Sequence, residues 1–332
     1  MTPIQASKII KEFTKDESKR LSNLLRDTAL TYNYSQQRLD EINFLVKKIT
    51  EKQAIIINQL ITEAYSESFR ATYKASGTVS PVIPNAAIGI LAKDTIRDLN
   101  YAVEQSATTI GSIFKLAKQD IISETKISET VLDQLMRQGT FRESAKDLSI
   151  KLLDQGSTVN TRLRNLDPKE VNERVARARR KLKSDGNIPK YLKTKVFDRV
   201  EGKLLEGKFI TIINKNKQPM TFSLDYYTGL VARTRFGDAQ VQGTLDSGAR
   251  LGVQLYLVSD HDTKTEYDKK FENKFLSADP LLIGKTFNGR QILELNDASK
   301  PLYHPNCKHR LIAYPITQSE YESIIGGKQI AA

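Results

Sequence analysis

From Lys15 to Ala75 the chain contains neither proline nor glycine. A stretch of that length without a breaker, and with apolar residues at helical spacing, can hardly be anything but long helix. Leu21, Leu24, Leu25, Thr28 and Tyr32 follow i, i+3, i+4 spacing. Ile42, Leu45, Val46 and Ile49 continue it, and Ile56, Leu60 and Ala64 carry it on. A periodic pattern beyond about 25 residues without caps predicts a coiled-coil-like helix or helical hairpin, here one helix with room for a single break. The apolar stripe is read as packing against neighbouring helices.

Ser80-Pro81-Val82-Ile83-Pro84 ends this run, because a proline disfavours helix at the residue before it. Asn85 is a suitable cap for the next helix. That helix is predicted through Ile88, Leu91, Ile96, Leu99 and Val103 to about Glu124, with a break between Ser106 and Gly111. A further helix is expected from Ser128 to Gly139. Thr140-Phe141-Arg142-Glu143 reads as a capping box that opens another, ending near Gly156.

Between Arg162 and Arg199 the character changes. This stretch holds thirteen Lys and Arg against five Asp and Glu, a local excess of eight within a chain whose formal charge is +12. A helix from Pro168 to Lys183 would gather Val171, Val175, Ala178 and Leu182 on one stripe. Arg174, Arg177, Arg179, Arg180, Lys181 and Lys183 would then lie on its other faces. Such a concentration suits double-stranded DNA or an acidic protein surface, though a solvated surface helix has the same pattern. Aromatics are not interleaved with it, which argues against base stacking on single strands.

Strand signals appear only after Gly207. Lys208-Phe209-Ile210-Thr211-Ile212-Ile213 is β-branched and aromatic. Asn214 to Lys217 can turn the chain, and Gln218-Pro219-Met220-Thr221-Phe222 can return it as an edge strand. A helix capped by Asp225 is predicted to about Leu251, and Val253 to Val258 is predicted as a strand. The remainder reads as loop with a short extended return at Arg310 to Tyr314. The fold class expected is therefore α+β. A long helical N-terminal half (1–156) leads through a basic helical linker (157–206) to a small α+β domain (207–332).

No apolar run is long enough for a membrane span. The N-terminus lacks a signal-peptide layout, and one cysteine rules out an internal disulfide framework. No carboxylate pair, phosphate loop or Ser/His/Asp set stands out. His261 between Asp260 and Asp262 is a weak dyad, since adjacent loop residues seldom orient one another.

Three segments within Gly207 to Pro315 carry a resemblance. The first is Tyr226-Tyr227-Thr228-Gly229-Leu230-Val231-Ala232-Arg233-Thr234-Arg235. The second is a run of small residues, Ala239, Gly243, Gly248 and Ala249, leaving through Leu251-Gly252-Val253. The third is His304-Pro305-Asn306-Cys307-Lys308-His309. In this order the chain resembles the Mu F-like minor head proteins of tailed bacteriophages. The resemblance gives motif or structural weight to Arg233, Thr234, Gly252, His304, Pro305, Asn306, Cys307 and His309. Arg233 would pair with Asp225 or Glu294. Many relatives would place a C-x-x-C pair where this chain has Thr265 and Asp268, and would bind zinc through that pair and the terminal motif. With both thiolates missing, no zinc or other cofactor is expected. His304, Cys307 and His309 would be the core of any residual site.

The function the resemblance implies is structural and not enzymatic. It describes a low-copy minor head or capsid protein located in the virion, and in host cytoplasm during assembly. Its partners would be the portal, the major capsid protein and packaged DNA, and its role would lie in head assembly, packaging or ejection. Two alternatives stand beside it, a cytoplasmic phage-encoded DNA-binding protein and a degenerate toxin-type enzyme. Twenty-three residues follow His309, which argues against an appended toxin domain.

Overall fold

The computed structural model describes residues 1–31, 34–125, 202–213, 217–260, 266–297, 299 and 309–326. It is a mixed α+β protein with its long helices first and its larger sheet last. The helices are α1 (Pro3–Phe13), α2 (Lys15–Thr31), α3 (Gln36–Ala75), α4 (Asn85–Thr125), α5 (Leu224–Arg250), α6 (Glu266–Lys269) and α7 (Gln318–Ile325). The strands are β1 (Lys208–Ile213), β2 (Pro219–Ser223), β3 (Leu255–Val258), β4 (Phe275–Ser277), β5 (Thr286–Phe287), β6 (Arg290–Glu294) and β7 (Leu311–Tyr314). No described helix is long and apolar enough to cross a membrane.

The single break allowed between Lys15 and Ala75 falls between α2 and α3. Helix α1 was not foreseen. Pro3 occupies its first turn, and Thr2 and Gln5 form a reciprocal capping box. The break expected at Ser106 to Gly111 is absent, for α4 runs through both residues. Gly111 meets no neighbouring atoms and costs the helix only local propensity. The predicted helices and capping box between Ser128 and Gly156, the basic helix from Pro168 to Lys183 and the domain boundary at 156 lie outside the described residues.

The burial pattern corrects two positions in the stripes. Ile57 rather than Ile56 is buried in α3, and Ile96 in α4 is 45% exposed. The stripe that α4 actually buries is Leu91, Thr95, Leu99, Ala102, Ser106, Ile110, Phe114 and Ala117, with Ile113 buried beside it. Its steps are all three or four residues, so the period is helical throughout. Two of its members are small and polar, and Thr95 satisfies its hydroxyl on the Leu91 carbonyl.

By contacts the chain forms two compact units that interleave along the sequence. One comprises Met1–Thr14, Glu51–Asn100 and Thr228–Ala332, and the other Lys15–Thr50 and Tyr101–Tyr227. Helices α3, α4 and α5 therefore each contribute residues to both.

The second unit holds the β1–β2 hairpin, antiparallel with an irregularity between Lys208 and Ile210. Pro219 is the first residue of β2 and stands opposite Ile213, a strand-end position in a two-stranded ladder where proline is tolerated. Tyr101 donates to the Thr211 carbonyl at 2.8 Å and packs beside Tyr227. Ser18 donates to Asp225 at 2.8 Å, which ties α2 to the first turn of α5.

The first unit holds the five-stranded sheet, in the order β5-β6-β4-β3-β7. The β4–β6 pair is parallel and the other pairs are antiparallel. Strand alternation divides its side chains between two cores. Tyr256, Val258, Leu276, Leu311 and Ala313 pack with Val241 and Leu245 of α5. Leu255, Phe275, Phe287 and Ile292 pack on the opposite side with Tyr321, Ile324 and Ile325 of α7. The sheet thus lies between α5 and α7. Of its strands, only β3 and the extended return β7 were foreseen.

The small residues of α5 have specific neighbours. A Cβ on Gly243 would collide with the Tyr65 carbonyl oxygen and lie 3.2 Å from the Phe69 nitrogen, so α5 crosses the backbone of α3 there. A Cβ on Gly248 would collide with the Tyr256 ring. Around this crossing Tyr65 stacks on Phe69, Arg250 lies over the Phe69 ring, and the Tyr65 hydroxyl donates to Asp246 at 2.5 Å. Burial, reinforced by that bond to a carboxylate, pushes the Tyr65 phenol well above its ordinary range.

Candidate functional site

Helix α5 begins at the Ser223–Leu224 junction with Asp225 in its first turn. It ends in a Schellman motif. Gly252 adopts φ +68°, its N–H donates to Ala249, and Val253 N–H donates to Gly248 at 2.8 Å. This turn is the physical content of the G-V exit, because the chain must reverse into β3 and only glycine takes that φ without strain. Gly252→Ala is expected to cost about 1–2 kcal/mol, read as a lower midpoint in chemical denaturation. Strand β7 then pairs with β3 in register, Val258 with Leu311 through Leu255 with Tyr314. Thus the helix from Thr228 onward, its glycine exit and the strand after the terminal string belong to one unit.

Of the two arginines of Ala232-Arg233-Thr234-Arg235, Arg233 lacks the pairing expected of it. Arg233 forms no ion pair among the described residues, and its buried Nε has no hydrogen-bond partner there. Glu294 accepts from Asn296 instead, and Asp225 from Ser18. The paired cation is Arg235. Its Nη2 lies 2.6 Å from Asp98, and its Nη1 lies 3.1 Å from Asp238 and 3.8 Å from Asp94. Two positions along a helix turn the side chain through roughly 200°, enough to move it to another face. Thr234 bonds the Leu230 carbonyl within the helix.

Burial opposes the Arg235 charge, but the Asp98 hydrogen bond and the three carboxylates outweigh it and raise its pKa. Burial also raises the Asp238 carboxyl above its ordinary 3.8, only partly offset by Arg235. A carboxyl raised on folding is charged at a cost to the folded state above that range, and acidification relieves the cost. The two aspartates are therefore expected to behave differently. Asp98→Asn should lower stability by about 1–2 kcal/mol at neutral pH, whereas Asp238→Asn should change it by less than about 0.5 kcal/mol. Denaturation of both variants at neutral pH and near pH 5 checks the order.

Of the terminal motif, His304, Pro305, Asn306 and Cys307 lie outside the described residues, as do Thr265, His261 and Asp262. His309 is described. It is 3% exposed, and its Nε2 sits 3.2 Å from Glu272 Oε1. Glu272 belongs to the turn after α6, so the pair ties the start of β7 to the α6–β4 connection. Asp260 accepts from Asn273 at 2.7 Å, and Asp268 is buried in α6. Among the described residues no group of three His, Cys, Asp or Glu is placed to hold a metal.

A cavity of about 180 Å³ adjoins His309, lined also by Ser68, Thr72, Gln240, Thr244 and Leu311. That is below the ~300 Å³ at which small-molecule pockets begin. Thr244 donates to the Leu311 carbonyl across one side of it. The pairing of His309 with Glu272 and of Arg235 with Asp94 and Asp98 left little trace in the sequence, because those partners are distant along the chain; only Asp238, three residues on from Arg235, is local. The six basic residues Arg174, Arg177, Arg179, Arg180, Lys181 and Lys183 lie outside the described residues. No family model, curated protein or solved structure matches the chain.

Proposed function

We propose that this chain is a structural minor head protein of a tailed bacteriophage, Mu F-like in its C-terminal part. It is present in few copies at the portal or the inner capsid surface and has no catalytic role. The observation that carries the reading is the ordered set Tyr226 to Arg235, Gly252-Val253 and His304 to His309. It is supported by the convergence of the helix from Thr228 onward, its glycine exit and the strand after the terminal string in one unit.

The charge distribution gives the reading its second support. Residues 162–199 carry a net +8 of the chain's +12, so the other residues are close to balanced. A protein that needed charge only for solubility would have little reason to concentrate it. The basic stretch would meet packaged DNA or an acidic portal face, and the helical half would supply the protein–protein surface.

Quantitative mass spectrometry of purified DNA-filled particles and of empty precursors tests this directly. A low, fixed ratio to the major capsid protein in both is the expected result. Absence from both would overturn the reading and favour a cytoplasmic DNA-binding protein.

A further inference from the structure

Ser106 leaves a hydrogen bond unmade in the middle of α4. It is 1% exposed, and its hydroxyl has no partner among the described residues. A serine or threonine inside a helix has a ready acceptor in the carbonyl four residues back. Thr95 and Ser112 of the same helix both use it, bonding Leu91 and Thr108 at 2.9 Å. Ser106 makes no such bond to Ala102. A buried hydroxyl without a partner is costly, and alanine would fill this place without that cost. An orphaned group of this kind calls for something outside the fold to complete it.

Ser106 adjoins a cavity of about 450 Å³. That lies within the range of ~300–1,000 Å³ usual for small-molecule sites. Every residue that lines it belongs to the same compact unit. Its deep wall consists of Leu21 and Leu25 of α2, Val46 of α3, Leu224 of α5, and Leu204 and Phe209, all buried. The backbone is shaped to bring the last two there. Gly207 turns the chain between them at φ +62°. The β1–β2 register then shifts at Phe209, and such a bulge re-aims a side chain. The mouth is polar, with Ser22, Asn23, Arg26 and Glu206 exposed.

Charge stays out of the deep wall. The two carboxylates that line the cavity are already engaged. Asp225 accepts from Ser18 at 2.8 Å, and Glu206 lies 3.7 Å from Lys208 Nζ. Ser106 is thus a polar point set against an apolar wall.

We infer that this cavity binds an uncharged small molecule with an apolar body and a hydroxyl group. The body packs against the leucines, Val46 and Phe209, and the hydroxyl bonds Ser106. Mostly apolar lining with a polar group placed inside it is the pattern of ligand sites. A serine hydroxyl both donates and accepts, so a ligand hydroxyl answers it in either direction. An ionised ligand would bury its charge against side chains that offer no counter-charge. Water alone fits poorly, because an ordered water needs two to four polar partners and the six apolar side chains offer none. The inference does not depend on the virion reading.

Titration of the full chain with p-cresol and with toluene, followed by ligand-observed NMR, tests it. The two probes differ only in the hydroxyl. Saturable binding of p-cresol is expected, about fivefold tighter than toluene, the yield of one hydrogen bond. Ser106→Ala should reduce the affinity for p-cresol to that for toluene and leave toluene binding unchanged. The melting temperature of this variant without ligand should stay within about 2 °C of the unmodified protein or rise, since no bond is lost. No saturable binding, equal affinities for the two probes, or p-cresol binding insensitive to Ser106→Ala would each overturn the inference. A larger fall in melting temperature would also do so, because the hydroxyl would then be satisfied within the fold.

Discussion

Gly243→Ala lowers stability by about 2–3 kcal/mol, although alanine is the better helix former by ~1 kcal/mol. The new methyl meets the Tyr65 carbonyl oxygen and lies 3.2 Å from the Phe69 nitrogen. Both are backbone atoms of α3, and neither can rotate aside. The helices must separate, which loosens the Tyr65–Asp246 hydrogen bond and the packing of Arg250 on Phe69. Gly89→Ala provides the contrast. Gly89 is also helical, but nothing lies within 4 Å of its added Cβ. Propensity acts alone there, and a gain of up to ~1 kcal/mol is expected. Denaturation midpoints for the two variants should move in opposite directions. A Gly243→Ala midpoint at or above that of the unmodified protein would mean that the backbone crossing does not constrain the fold.

Replacing Arg174, Arg177, Arg179, Arg180, Lys181 and Lys183 with alanine is expected to weaken double-stranded DNA binding on the order of a thousandfold at low salt. Each phosphate contact contributes about 0.9 to the slope of log affinity against log salt, so the slope should fall by up to ~5. The loss should be equal for unrelated DNA sequences, as expected of backbone contact without base reading. Fluorescence anisotropy with two unrelated duplexes across a salt series measures all three quantities. An unchanged slope would assign the basic stretch to an acidic protein surface instead.

The long helices were legible because breakers are absent and the apolar period is strong. Their exact faces were less so. Thr95, Ser106 and Gln53 occupy buried positions, and a reading by apolar residues alone steps over them to Ile96 or Ile56. Strand β3 was visible as a run of β-branched and aromatic residues. Strands β4 and β5 were not, because Phe275–Ser277 and Thr286–Phe287 are too short to show alternation. Helix α7 was missed as well, although Thr317 and Glu320 spell a capping box that could have revealed it. At the candidate site, glycine and its turn were readable, since Gly252 needs a backbone conformation that sequence advertises. The salt-bridge partners were not. The only local sign that separates Arg235 from Arg233 is Asp238 three residues on, and the other partners are aspartates on α4.

The crossing of α5 over α3 also sets a timetable for the growing chain. Tyr65 leaves the ribosome 178 positions before Gly243, the residue that rests on it. At 5–20 residues per second that interval is roughly 10–40 s. Throughout it, the aromatic ladder of Tyr65, Phe69 and Tyr73 has no α5 to cover it. A nascent chain stalled or cut before Gly243 would present that ladder to chaperones and proteases. Cellular quality control would therefore discard incomplete copies before they accumulate.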